Sequence, residues 1–158
     1  MKGNNNLIKL SADGRVTVHE FPSGSFSQQN DEFCRLIGEE CYIYEHICPE
    51  RLYSVFRCQR DVDEKVPGRA VSMLADEEFT LKKEKPLEVN AIASWLYGFD
   101  IHNCPILGDV LFVGEKIDEE GDLVFCGLDE HVGLALLANL ITATSKFREV
   151  DREGVFIR

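Results

Sequence analysis

The chain has 158 residues, of which 44% are hydrophobic and 28% charged, proportions that fit one folded domain of ordinary size. With 17 Lys and Arg against 28 Asp and Glu, the formal net charge is −11, which excludes a basic nucleic-acid-binding surface as the main design. Apolar residues recur along the whole chain, and this excludes an intrinsically disordered protein. No basic start leads into an apolar leader, and the longest apolar stretch, 132–141, is about half of the roughly 18 residues that a membrane-spanning helix needs. We therefore expect a cytoplasmic protein with no membrane partner and no direct contact with nucleic acid.

The six cysteines are expected to be reduced thiols, most of them buried as small apolar side chains. They form no Cys-x-x-Cys pair, the spacing typical of structural zinc sites. Two His-x-Cys pairs, His46 with Cys48 and His102 with Cys104, place two ligand types on one face of a strand, but such short coincidences are common. We therefore expect neither a metal nor a cofactor.

The first half of the chain is predicted to form strands and one helix. An Asp-Gly turn between two β-prone runs predicts a hairpin over 7–21. Apolar residues at helical spacing predict a short helix over 28–37. Two runs rich in β-branched and aromatic residues, 41–47 and 52–58, predict an antiparallel strand pair. The polar segment 59–68 is expected to be a loop.

The second half begins with a predicted strand over 70–74. Asn90 is a good N-cap for a short helix over 91–97, which Gly98 ends. Two strands, 109–117 and 122–128, predict a hairpin with a strongly acidic turn.

The longest predicted helix starts after Asp129 and runs to about Lys146. Its apolar residues surround most of the helix axis, so it is expected to be buried on two sides, against the core and against a further surface such as a second subunit. A last short strand is expected over 154–157. The whole pattern predicts one α+β domain over 1–158, with a mostly antiparallel sheet, two short helices and one longer C-terminal helix; the only candidate domain boundary lies near 59–68.

Catalytic motifs are missing from the sequence. There is no glycine-rich phosphate loop and no Gly-x-Ser-x-Gly nucleophile turn. One enzymatic hypothesis stays open, in which His102 and Cys104, with Asp100, act in the irregular segment after Gly98. Its weakness is the negative local charge, because a reactive cysteine needs a positive charge or a helix N-terminus nearby.

Acidic residues concentrate in one window. Residues 100–130 hold nine acids against Lys116, a net charge of −8. Such a field repels nucleic acid and attracts basic proteins. It permits a hypothesis of DNA mimicry, in which the protein inhibits a DNA-processing enzyme with carboxylates of the predicted turn, namely Asp118, Glu119, Glu120 and Asp122.

The helix segment 90–98, followed by the run 105–114, resembles the bacterial and phage family known as domain of unknown function 3846. In that family an Asn opens an Ala-rich helical turn, and a Gly-Asp or Gly-Asn pair leads into an apolar strand. The pieces 36–38 and 73–78 stand in the order that the family pattern has, so the resemblance covers about residues 7–115.

The resemblance implies a small protein carried by phages, plasmids and conjugative elements, without assigned catalytic residues. Asn90 and Asp109 match the family pattern and are candidate binding residues. The leading hypothesis is a non-enzymatic accessory protein of a mobile element that acts by binding a protein partner or a second copy of itself. DNA mimicry and a small enzyme remain the alternatives.

Overall fold

The computed structural model describes residues 3–78 and 87–152, with side chains as far as residue 148. This part of the chain forms one six-stranded antiparallel sheet with helices on both of its faces. The predicted α+β class is therefore confirmed. None of the helices in the described residues is long and apolar enough to span a bilayer.

The strands are β1 Asn6–Leu10, β2 Val16–Glu20, β3 Tyr44–Ile47, β4 Ala70–Asp76, β5 Val110–Ile117 and β6 Leu123–Cys126. The sheet has the order β2-β1-β5-β4-β3, and β6 pairs with the second half of β5. The helices are α1 Phe26–Ile37, α2 Glu50–Ser54, α3 Ala91–Tyr97, α4 Phe99–His102 and α5 Glu130–Arg152.

Alternation along the strands produces two apolar layers. Ile8 and Leu10 of β1 face the layer formed by α2, α3 and α5, whereas Leu7 faces α1. All residues of β4 are buried, because the strand is central and covered on both faces. The sheet therefore separates a large core from a smaller one around Phe33 of α1.

The predicted strand over 52–58 is wrong. Pro49 precedes a single helical turn, α2, whose Leu52 is fully buried in the larger core. The partner of β3 is instead β4, with Ile47 opposite Met73. An apolar β4 with two neighbours buries more surface than a local hairpin would, so packing overrides the local β propensity of 52–58.

The number of short helices was also underestimated. α2 and α4, of five and four residues, are too short to show an apolar period. α5 continues to Arg152, past the predicted end near Lys146. The predicted last strand, 154–157, lies outside the described residues. Gly68 donates to the Glu115 carbonyl and accepts from the Asp129 amide, so the end of the 59–68 segment is bound to β5; a domain boundary there stays a prediction.

Candidate functional site: the exposed face of helix α5

Helix α5 lies on the larger core with one face only. Leu136 and Leu140 are buried against β1, β2 and α3, and Val132 and Leu137 pack beside them. The first turn is capped by Asp129, whose carboxylate accepts from the Val132 amide. The core thus uses about half of the helix surface.

The opposite face of α5 carries no Asp, Glu, Lys or Arg, and it is exposed. Leu134 and Ile141 keep 45% and 52% of their surface in solvent. No charged residue occurs between Glu130 and Lys146, a distance of roughly 24 Å along the axis. The other exposed residues here are His131, Ala135, Ala138, Thr142 and Ser145. We call this surface, defined by these five residues with Leu134 and Ile141, the α5 face.

An exposed surface of this kind is unusual, because solvent-facing helix positions normally carry charged side chains. Contiguous apolar patches on folded proteins mark interaction sites. Val18 of β2, 40% exposed, lies on the same side of the sheet as α5, since its cross-strand neighbour Ile8 points into the layer that contains α5. The α5 face is therefore the candidate functional site.

The candidate binding residues Asn90 and Asp109 are engaged in holding the fold. Asn90 is 1% exposed; its side-chain oxygen accepts from the Ala93 amide, and its nitrogen donates to the carbonyls of Leu10 and Gly108. Asp109 accepts from the Ala12 amide at 2.9 Å and pairs with Lys9 at 3.3 Å. These bonds join α3 and the β1–β2 turn to the start of β5.

The acidic turn between β5 and β6 is closed on itself. The Asp118 carboxylate accepts from the backbone amides of Glu120 and Asp122, both at 2.9 Å. Carboxylate oxygens of Asp118, Glu120 and Asp122 lie within 4.8 Å of one another, while Glu119 is exposed. The turn conformation alone accounts for this convergence.

His102 and Cys104 do not form a reactive pair. The His102 ring packs against Tyr97 with centroids 5.0 Å apart, and the exposed Cys104 thiol lies 3.9 Å from the Pro105 carbonyl. Asp100 is held by Arg51 in a two-point ion pair at 2.6 and 2.7 Å. Among the described atoms, no hydrogen bond joins the three residues of this enzymatic hypothesis.

Sequence reasoning missed a polar cluster on the α1 side of the sheet. Glu115 of β5, 4% exposed, accepts from the Ser72 hydroxyl, and Ser72 lies 2.7 Å from His46 Nε2. The same nitrogen is 3.7 Å from a Glu115 oxygen and 3.7 Å from Cys48 Sγ. In a catalytic triad the acid and the nucleophile contact different nitrogens of the histidine ring. Here Ser72, Glu115 and Cys48 all approach the same nitrogen, Nε2 of His46, so the cluster is not arranged as a triad.

This cluster keeps a buried carboxylate charged. Burial by itself would raise the pKa of Glu115, but hydrogen bonds from His46 and Ser72 and the nearby His46 charge hold that pKa below its ordinary value of 4.5. Burial also raises the pKa of the Cys126 thiol to about 11 and that of Cys58 to about 12. These two thiols are therefore unsuited to nucleophilic attack at neutral pH.

A cavity of about 480 Å³ lies between the β1–β2 turn, the start of α3 and the end of α5. Its lining carries both signs of charge, from Asp13, Glu88 and Arg148. Thr144 also lines it, and its buried hydroxyl has no hydrogen-bond partner among the described residues. The cavity is open to solvent, and the described residues that line it form no cluster of groups suited to one reaction.

Comparison with known proteins found no match: no family model, no curated protein and no solved structure is significantly similar to the chain. The resemblance to the family of domain of unknown function 3846 stays a prediction.

Proposed function

We propose that the protein acts by binding another protein, with the α5 face as the docking surface, and that it is not an enzyme. The observation that carries this proposal is the charge-free stretch between Glu130 and Lys146, which leaves Leu134 and Ile141 half exposed on a rigid helix. Covering these two side chains would contribute about 1 to 2 kcal/mol each. Small neighbours such as Ala138 allow a partner to approach closely.

The other two hypotheses receive less support from the geometry. A DNA mimic needs carboxylates spread along a face at the spacing of phosphates, whereas Asp118, Glu120 and Asp122 converge within 4.8 Å. An enzyme with Cys104 as nucleophile and His102 as base needs the two side chains within reach of each other, and they have separate contacts. The role in a phage or mobile element is proposed from the family resemblance alone.

The proposal is tested by placing a photo-crosslinking amino acid at Ala138 and expressing the protein in its native host cell. We expect one discrete crosslinked product of higher mass, because a docked protein would lie within reach of this position. The same group at Val55, an equally accessible apolar position outside the α5 face with 52% exposure, is the matched control and should give none.

The product should also disappear when Ile141→Glu is added, since a carboxylate would then be buried in the contact. A folded protein that gives no product from Ala138, or the same products from Ala138 and Val55, would refute the proposed function.

A further inference from the structure

We propose that the partner on the α5 face is a second copy of this chain, packed antiparallel about Ala138. This inference rests on the proposed function, because it names the occupant of the same surface. Most soluble oligomers are symmetric, and a two-fold axis brings one surface patch against itself. The α5 face meets the two requirements of such a contact: it is complementary to itself in shape and in charge.

Complementarity of shape follows from the centre of the face. Ala138 lies midway between His131 and Ser145, the ends of the exposed stretch. At 3.6 residues per turn, Leu134 and Ile141 lie on one flank of the face, and Ala135 and Thr142 lie on the other. In an antiparallel pair about Ala138, Leu134 of each copy therefore lies within about 1.5 Å, along the axis, of Ile141 of the other copy. The large apolar side chains pack against each other on one flank, and the small ones allow the helices to approach to the usual distance of roughly 8 to 10 Å.

Complementarity of charge follows from the two ends of the face. Glu130 stands eight residues before Ala138 and Arg148 ten residues after it. At 3.6 residues per turn both lie on the same flank, about 80° from Ala138. The antiparallel arrangement therefore places Glu130 of one copy within about 3 Å, along the axis, of Arg148 of the other. By symmetry this pair forms twice.

Both side chains are available for these pairs. Arg148 is exposed, and its guanidinium lies beside the β1–β2 turn, where its charge attracts Asp13. Asp13 is paired with Arg15, and none of the described residues lies within ion-pair distance of Arg148. Glu130 has one long contact, a 3.4 Å hydrogen bond from the Gly3 amide. A parallel arrangement would instead leave Glu130 of one copy about 27 Å, along the axis, from Arg148 of the other, so neither ion pair could form.

The interface is small, one helix per copy, so a dissociation constant in the range of roughly 1 to 100 μM is expected. Sedimentation equilibrium of the purified chain should therefore show a shift from 17.9 kDa toward twice that mass as the concentration rises to about 1 mM. Ile141→Glu should give a monomer at all these concentrations, while Val55→Glu should dimerise like the parent chain.

Charge reversal tests the antiparallel geometry. Glu130→Arg and Arg148→Glu each set like charges opposite each other twice, so each variant alone should dimerise at least about tenfold more weakly. An equimolar mixture of the two should recover dimers, because in the mixed pair both contacts join opposite charges again. Asp31→Arg, on helix α1 on the other side of the sheet, is the control for a change of net charge.

A monomer at about 1 mM would overturn the second-copy proposal, and a mixture that stays as weak as its components would overturn the antiparallel arrangement. Neither result would contradict the proposed function, which the crosslink at Ala138 tests separately. A crosslinked product of twice the chain mass supports both; a product with a different protein supports the proposed function and overturns this inference.

Discussion

Single polar side chains hold this fold at points where several elements meet. Asn90 is the clearest case, because one amide group serves the first turn of α3, the end of β1 and the Gly108 carbonyl before β5. The sequence predicts its capping role, since Asn before an apolar helical turn is a common N-cap. It does not predict the other two bonds, which join residues 80 and 18 positions apart.

Asn90→Ala is expected to lower the free energy of unfolding by about 2 to 4 kcal/mol. The loss of the cap accounts for about 1 kcal/mol, and the rest comes from the two buried carbonyls that lose a donor. Urea denaturation measures the change. Ser25→Ala is the control, because it removes the exposed capping box of α1 and should cost only about 1 kcal/mol. Equal losses in the two variants would contradict the role assigned to Asn90.

Glu115 makes stability depend on pH. Its pKa is lower in the folded chain than in the unfolded chain, so its contribution is fully present above the unfolded value near 4.5 and is lost as the pH falls through the folded value. Hydrophobic patterning gives no sign of this group, because its partners Ser72 and His46 come from two other strands.

Glu115→Gln should therefore reduce the loss of stability on acidification. We expect the difference in unfolding free energy between the parent chain and the variant to shrink as the pH is lowered from about 6 to about 3. Denaturation midpoints at each pH measure it. Glu119→Gln, an equal change of charge on the exposed turn, serves as control; parallel curves for the parent chain and Glu115→Gln would refute the linkage.

At the scale of elements, a tightly constrained place is where the segment before β4, the middle of β5 and the segment after β6 meet. A Cβ atom on Gly68 would lie 2.2 Å from the Gly127 carbonyl oxygen, and one on Gly114 would lie 2.6 Å from the Gly68 Cα. The backbones are in direct contact, so only glycine fits. The hairpin of β5 and β6 was predicted from local turn chemistry, but this contact joins segments that are distant in sequence.

Gly68→Ala is expected to destabilise the protein by at least about 3 kcal/mol, because backbone strands must separate to admit the methyl group. Gly121→Ala is a matched control: its φ of +84° is close to the +79° of Gly68, but nothing lies within 4 Å of the added atom. It should cost only about 1 kcal/mol, the strain of the left-handed conformation. The midpoints of thermal unfolding of the two variants distinguish backbone strain, which both share, from the steric clash, which only Gly68→Ala introduces. Similar midpoints would contradict the close contact at Gly68.

For the whole molecule, the sequence predicts those features that depend on neighbours along the chain. Both hairpins, the capped helices α1 and α3 and the α+β class are confirmed, because turn residues and caps act locally. Strand pairing between distant segments cannot be predicted in this way. Residues 52–58 have high strand propensity, but part of this run forms α2, because β4 and not 52–58 pairs with β3.

The candidate site could be predicted only in part, because it too depends on packing between distant segments. The apolar residues around α5 indicated a second contact surface, and the structure shows which of them stay in solvent after the core is filled. The burial of Leu136 and the exposure of Leu134 cannot be predicted from the sequence, because both depend on how α5 is rotated against the sheet.

The place of β1 in the sheet has a consequence for biosynthesis. β1 is made first, yet its inner neighbour is β5, with Ile8 opposite Phe112. While the ribosome synthesises the hundred or so residues between them, the apolar residues on both faces of β1 stay uncovered, and an isolated two-stranded hairpin is only marginally stable. The nascent chain thus exposes Leu7, Ile8 and Leu10 to chaperones until β5 leaves the exit tunnel. Only then can β1 pair with β5 and complete the sheet.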